Sequence, residues 1–92
     1  MKKRFWKLSL CGIVLVLLLF TACSSKAAKA VEKVELGQKY LTELNYTEAV
    51  ASFTEAIGLD PENIPAYMGR AQAYVGLKQY DDAKVDYTTC LL

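Results

Sequence analysis

The sequence predicts an all-α fold: antiparallel helix-turn-helix repeats in two copies, the second incomplete, preceded by an apolar N-terminal signal helix. Three observations predict it. Residues 45–61, NYTEAVASFTEAIGLDP, set Ala49, Phe53, Ala56 and Ile57 at steps of four, three and one, which paints one face of a helix of period 3.6. The shift that carries Tyr40 onto Tyr74 and Tyr46 onto Tyr80 superimposes this segment and the one before it on residues 64–92, aromatic on aromatic and small on small. The chain opens with a basic stretch, an uncharged apolar run and small residues leading into a cysteine.

Taken in order, residues 1–7 carry Lys2, Lys3, Arg4 and Lys7 with no acid, and residues 8–20, LSLCGIVLVLLLF, carry no charge. Thr21-Ala22-Cys23 comes next. The expectation is a lipoprotein signal peptide over residues 1–22, cut after Ala22, with Cys23 left as the lipidated terminus. Phe20 departs from the leucine most often found at that site. Cys11 is a poor rival, because Leu10 before it is not small and it lies within the apolar run. The competing readings are an uncleaved anchor and another export signal. Thirteen apolar residues rise only about 20 Å at ~1.5 Å each, short of a hydrocarbon core near 30 Å. All three readings put the rest of the chain outside a bacterial cytoplasm, since the basic flank stays inside. Two acyl chains on Cys23 anchor stably, at ~0.8 kcal/mol per buried methylene, where one is marginal.

The full chain holds 11 basic and 10 acidic side chains; removal of residues 1–22 takes away four basic ones and leaves a net charge of −3. A mildly acidic remainder makes no case for nucleic acid. Of three cysteines, Cys11 leaves with the signal and Cys23 is consumed by lipid, so Cys90 alone remains and no intrachain disulfide is expected. Cys90 occupies a small-residue position and is expected to be a buried small hydrophobe.

Residues 23–29 are the lipidated cysteine and a polar tether, which reaches at most ~25 Å and keeps the repeats close to the membrane. Residues 30–63 form the first repeat and 64–92 the second. The first helix is expected over Ala28 to Glu43 and the second over Asn45 to Gly58. Asn45 and Glu48 are spaced as a capping box, and Asp60-Pro61 ends the unit. Asn63 can cap the third helix, with Pro65 in its first turn, where a missing N–H costs little. Gly69 lies inside that helix at a cost of ~1 kcal/mol relative to alanine and marks a close contact; Gly76 closes it. Tyr80 to Leu92 is the fourth helix, with Asp81 and Asp82 set against its N-terminal dipole.

The repeat carries Leu36-Gly37, Tyr40, Tyr46, Ala49, Phe53, Ala56 and Pro61 in the first copy, and Tyr67, Ala71, Tyr74, Tyr80, Ala83, Tyr87 and Cys90 in the second. A helix-turn-helix period of about 34 residues with these side chains resembles the tetratricopeptide repeat. Two positions depart from the pattern. Lys33 stands where the family prefers a bulky apolar residue, so the first copy is expected to fray there. Arg70 stands where Leu36 stands one repeat earlier, and fits if its guanidinium snorkels past the groove.

The resemblance implies a curved stack whose first helices line a concave face that holds a protein or peptide partner. Carried onto this chain, the inward candidates are Val34, Gln38, Leu41, Met68, Gln72 and Val75, a mixed face suited to an apolar or extended peptide. The subgroup that grips chaperone C-termini uses Lys, Asn and Arg on these faces. Val34, Gln38 and Gly69 occupy the matching places here, so that ligand class is not expected.

Nothing points to catalysis, a metal or a cofactor. There is no histidine and no Gly-rich phosphate loop. Glu32 and Glu35 share a surface with Lys29 and Lys33 and read as a solvated helix face, and the six tyrosines fall on packing positions. The expectation is a non-catalytic, lipid-anchored interaction module at the cell envelope. The alternative is the targeting or regulatory start of a longer protein with an enzyme beyond Leu92. Because stacked repeats bury their faces only on neighbours, a longer array, or self-association through the uncapped C-terminal helix, is also expected.

Overall fold

The computed structural model describes residues 25–92, which form four helices packed as two antiparallel pairs. Helix α1 is helical over 25–42 of the described residues. Helices α2 (Tyr46–Leu59), α3 (Ile64–Gly76) and α4 (Tyr80–Leu91) complete the set. The expected signal peptide of residues 1–22 and the expected lipid attachment at Cys23 lie outside the described residues, and residues 25–29, expected as tether, are already helical. No helix among the described residues is long and apolar enough to cross a membrane.

The two turns within the pairs follow the same backbone path. Leu44 and Lys78, one repeat apart, both take left-handed geometry, with φ of 60° and 63°. After each, an amide reaches back across the turn: Asn45 N–H donates to Tyr40 O and Gln79 N–H to Tyr74 O, both at 2.8 Å. Backbone hydrogen bonds thus close both turns with no glycine at the left-handed residue.

The helix starts divide. Asn63 caps α3 as its sequence suggests, its side chain accepting from Ala66 N–H at 3.1 Å. Asn45 precedes α2 but makes no side-chain cap, so the expected capping box with Glu48 does not form. The backbone C=O of Asn45 accepts from Ala49 instead, at 3.0 Å. Asp81 and Asp82 occupy the first turn of α4, where carboxylates complement the exposed N–H groups.

The core is built on one ring. Phe53 is fully buried, with Ala49, Ala56, Ala66, Ala73 and Val34 around it. It lies between two glycines of different helices. A Cβ on Gly37 of α1 would come 2.7 Å from the ring, and one on Gly69 of α3 would collide with its edge. The close contact expected at Gly69 is therefore the packing of α3 on α2. Further along α3, a Cβ on Gly76 would collide with the Tyr46 ring. Helices approach this closely only where side chains are absent, and the ring fills the space they vacate.

The second copy is less enclosed. Tyr87, equivalent to Phe53, is 40% exposed, and Tyr80, equivalent to Tyr46, is 61% exposed. Cys90 is half-buried and free, where its counterpart Ala56 is fully buried. The expectation that all six tyrosines are packed holds for Tyr40, Tyr46, Tyr67 and Tyr74, which are half-buried, and not for the last two. No helix among the described residues covers them.

Candidate peptide-binding face

Because Gly37 and Gly69 meet the same ring, α1 and α3 flank it side by side, and their opposite faces are available to a ligand. On α3, Met68, Gln72 and Val75 are set at steps of four and three, all exposed. On α1, Gln38 is exposed and Leu41 is half-buried against the core. Val34 is different: at 7% exposure it belongs to the core cluster. Five of the six residues named from the sequence thus keep accessible surface, and Val34 contributes mainly to packing. Gln38 and Gln72 lie one repeat apart, which spaces two amides along a strip that is otherwise apolar. Such a strip can hold an extended main chain by its amides and apolar side chains by Met68 and Val75.

Behind this face is a constellation that sequence reasoning misses. Arg70 Nε donates to Asp86 Oδ2 at 2.8 Å and Nη2 to Oδ1 at 2.7 Å, a two-point pairing of planar groups across the α3–α4 hairpin. The Asp86 side chain is 3% exposed and that of Arg70 18%. Arg70 Nη1 also donates to Thr54 Oγ1 at 3.3 Å. Its Cζ lies 5.8 Å from the centroid of Tyr67 and 5.9 Å from that of Tyr74, within range of attraction by ring faces. Arg70 therefore does not snorkel to water past the groove; it is pinned inside the second pair. The hydrogen bonds to Asp86 hold the guanidinium above its ordinary pKa against the opposing effect of burial.

A signal for this pair is present in the sequence. The shift of one repeat carries Leu36 onto Arg70 and Ser52 onto Asp86. Two facing positions change together, from apolar and small to cation and carboxylate.

Lys33, expected to fray α1, does not interrupt it. Its Nζ reaches Glu55 Oε2 at 2.9 Å, and this hydrogen bond, reinforced by charge attraction, raises the lysine above its ordinary pKa. In the second repeat the equivalent position is Tyr67, whose hydroxyl donates to Pro61 O at 2.9 Å. The first pair has a cleft of about 540 Å³ bounded by Lys29, Glu32, Lys33, Glu55, Gly58 and Leu59. Both shifted groups are cations held above their ordinary values. On the alkaline side, what these raised cations contribute to stability is present at neutral pH and is lost as pH rises through their folded pKa.

Comparison with known proteins agrees with this geometry. A family model described as tetratricopeptide repeat matches residues 40–85. The human small glutamine-rich tetratricopeptide repeat-containing protein beta is 38% identical over 71 residues, which covers 77% of this chain and 23% of that protein. Human DnaJ homolog subfamily C member 7 is 40% identical over 75 residues, 76% of this chain and 15% of the relative. The heat shock protein sti1 homolog of Schizosaccharomyces pombe is 39% identical over 54 residues, 59% of this chain and 9% of the relative. The chain thus spans less than a quarter of the length of these curated relatives. No solved structure matches significantly. With the family model matching half of the chain, the recurrence of turns, rings and small residues has a name, and the chain belongs to the tetratricopeptide repeat family of protein–protein interaction modules.

Proposed function

We propose that this chain is a lipid-anchored interaction module of the bacterial cell envelope, tethered through acyl chains on Cys23 and holding a protein partner on the concave face of its repeats. The observation that carries the binding half is the exposed strip of Met68, Gln72 and Val75 beside Gln38. It is more apolar than a solvated helix face requires and is not consumed by the core. The anchoring half rests on the sequence alone: a basic start, the apolar run of residues 8–20, and Ala22 before Cys23. The same exported setting and the absence of a histidine or phosphate loop favour scaffolding over chemistry.

The groove is tested with Met68→Gln/Val75→Gln, leaving Leu41 untouched because it packs against the core. Both residues are more than two-fifths exposed, so the variant keeps its helical circular dichroism. Recovery of partners from envelope extracts should fall at least ~10-fold, the effect of losing about 1.4 kcal/mol. Equal recovery by variant and parent refutes the groove.

Anchoring is tested separately. Expressed in a bacterial host, the mature chain should carry the mass of a diacylglyceryl group at Cys23, and Cys23→Ala should move it from the membrane to the soluble or precursor fraction. An unmodified Cys23 thiol in the membrane-bound protein would refute the lipid tether while leaving the groove intact.

The low share of each relative that the chain covers favours a second reading, in which these residues are the targeting or regulatory start of a longer protein. Further repeats in the adjoining coding sequence support the scaffold, and a new catalytic domain supports the second reading.

A further inference from the structure

One helix glycine has no packing reason. Gly37, Gly69 and Gly76 each meet an aromatic ring, so a side chain there would collide. A Cβ on Gly58 would meet nothing within 4 Å. No glycine among the described residues takes positive φ, so Gly58 is not a left-handed cap either. Glycine in a helix costs up to ~1 kcal/mol relative to alanine, and what it leaves is bare backbone that a ligand can approach. Gly58 lines the cleft of about 540 Å³ between the start of α1 and the end of α2, a volume within the range of small-ligand sites, about 300–1,000 Å³.

The walls of this cleft carry both charges. Glu32 and Glu55 stand beside the C-terminal end of α2. The carbonyls of Ile57, Gly58 and Leu59 there lack the amides one turn on. Pro61 has no N–H, Glu62 N–H donates to Asp60 Oδ1 and Asn63 N–H to Asp60 O, both at 3.1 Å. A helix C-terminus flanked by carboxylates favours a cation that donates N–H. Lys29 and Lys33 supply the opposite charge, and Lys33 spends one N–H on Glu55 and keeps two. Such neighbouring sites fit a ligand that joins a primary ammonium to a phosphate. We infer that this cleft takes the phosphoethanolamine headgroup of a membrane phospholipid. The choice of a lipid as its source rests on the anchoring half of the proposed function. Helix α1 is helical from residue 25, two residues after Cys23, which bounds that gap at ~7 Å. Four helical residues more, at ~1.5 Å each, bring the chain to Lys29. A tether so short keeps the cleft beside the polar layer of the bilayer.

The probe is dihexanoyl-phosphatidylethanolamine, titrated into the isotope-labelled full chain in an uncharged maltoside detergent and followed by nuclear magnetic resonance. The Gly58 and Leu59 amides should move saturably, half-way at or below about 1 mM. The phosphatidylcholine analogue keeps both charges but has no N–H to donate, and should bind at least ~10-fold more weakly. Gly58→Leu puts a side chain into the cleft. It should abolish the response at Leu59 while the thermal midpoint stays at or above that of the parent, which a merely structural glycine would not allow. No saturable movement, equal binding by the choline lipid, or unchanged binding by Gly58→Leu overturns the inference. Tighter binding of free phosphoethanolamine than of the lipid would make the occupant a soluble metabolite and overturn the lipid assignment. Because the probe is soluble, its result is independent of the tether. An unmodified Cys23 with a full response removes the anchor and leaves the headgroup site; a lipidated Cys23 with no response removes the site alone.

Discussion

Replacing Phe53 by alanine should unfold the repeat domain at room temperature. The ring is the largest fully buried side chain among the described residues and touches both helices that flank it. Its removal costs about 3–5 kcal/mol in lost burial and in the cavity left behind. A two-repeat domain of this size has a stability of about the same magnitude, ~3–5 kcal/mol, so little folded protein should remain. The complementary experiment fills the space from the other side. Gly69→Ala gains up to ~1 kcal/mol in helix propensity, yet its new methyl collides with a ring that Gly37 prevents from retreating. Overpacking of this kind costs about 1–3 kcal/mol, so Gly69→Ala should lower the urea midpoint. Gly58, which has open space around it, supplies the control: Gly58→Ala should be neutral or stabilising. If both alanines stabilise equally, the ring is not clamped.

The second large effect lies at the ion pair. Arg70→Leu should cost about 3 kcal/mol or more, because it leaves the Asp86 carboxylate buried with no partner. Asp86→Ser should cost less, since Arg70 keeps 18% exposure and can turn its charged end toward water. The double variant Arg70→Leu/Asp86→Ser recreates the Leu36–Ser52 pair of the first repeat and should recover much of what the single Arg70 change loses. Urea unfolding of the four proteins gives the cycle. If the double variant loses the sum of the two single losses, the groups are not acting as a pair.

Much of this architecture is legible in residue spacing, because helix faces and repeat period are properties of one chain read along its length. The small-large-small order of Ala49, Phe53 and Ala56 tells which face packs, and Gly69 announces a contact before its partner is known. The partner itself is not legible. That Gly37 and Gly69 share one ring depends on how two helices are disposed about a third, which no local pattern encodes. The Arg70–Asp86 pair escapes for a different reason. Weighed alone against the apolar pattern of its own helix, Arg70 reads as a tolerated exception; only with its facing position beside it does it read as half of a pair. Val34 has a repeat position that points to the ligand face, but in the first pair that side chain reaches the core instead. The cap at Asn45 fails because residue type permits a side-chain bond that this turn's backbone does not direct.

The twin turns at Leu44 and Lys78 carry a last consequence. Their bend is written in main-chain hydrogen bonds, identical in pattern from one copy to the next, while one bend holds an aliphatic side chain and the other an ammonium. A corner drawn by amides alone leaves its side chains free to vary, so duplicates of the hairpin can diverge in charge and solubility at their tips while keeping the same pitch. Lengthening either corner by a single residue would instead rotate everything downstream out of phase, which makes loop length, and not loop composition, the intolerant parameter of this chain.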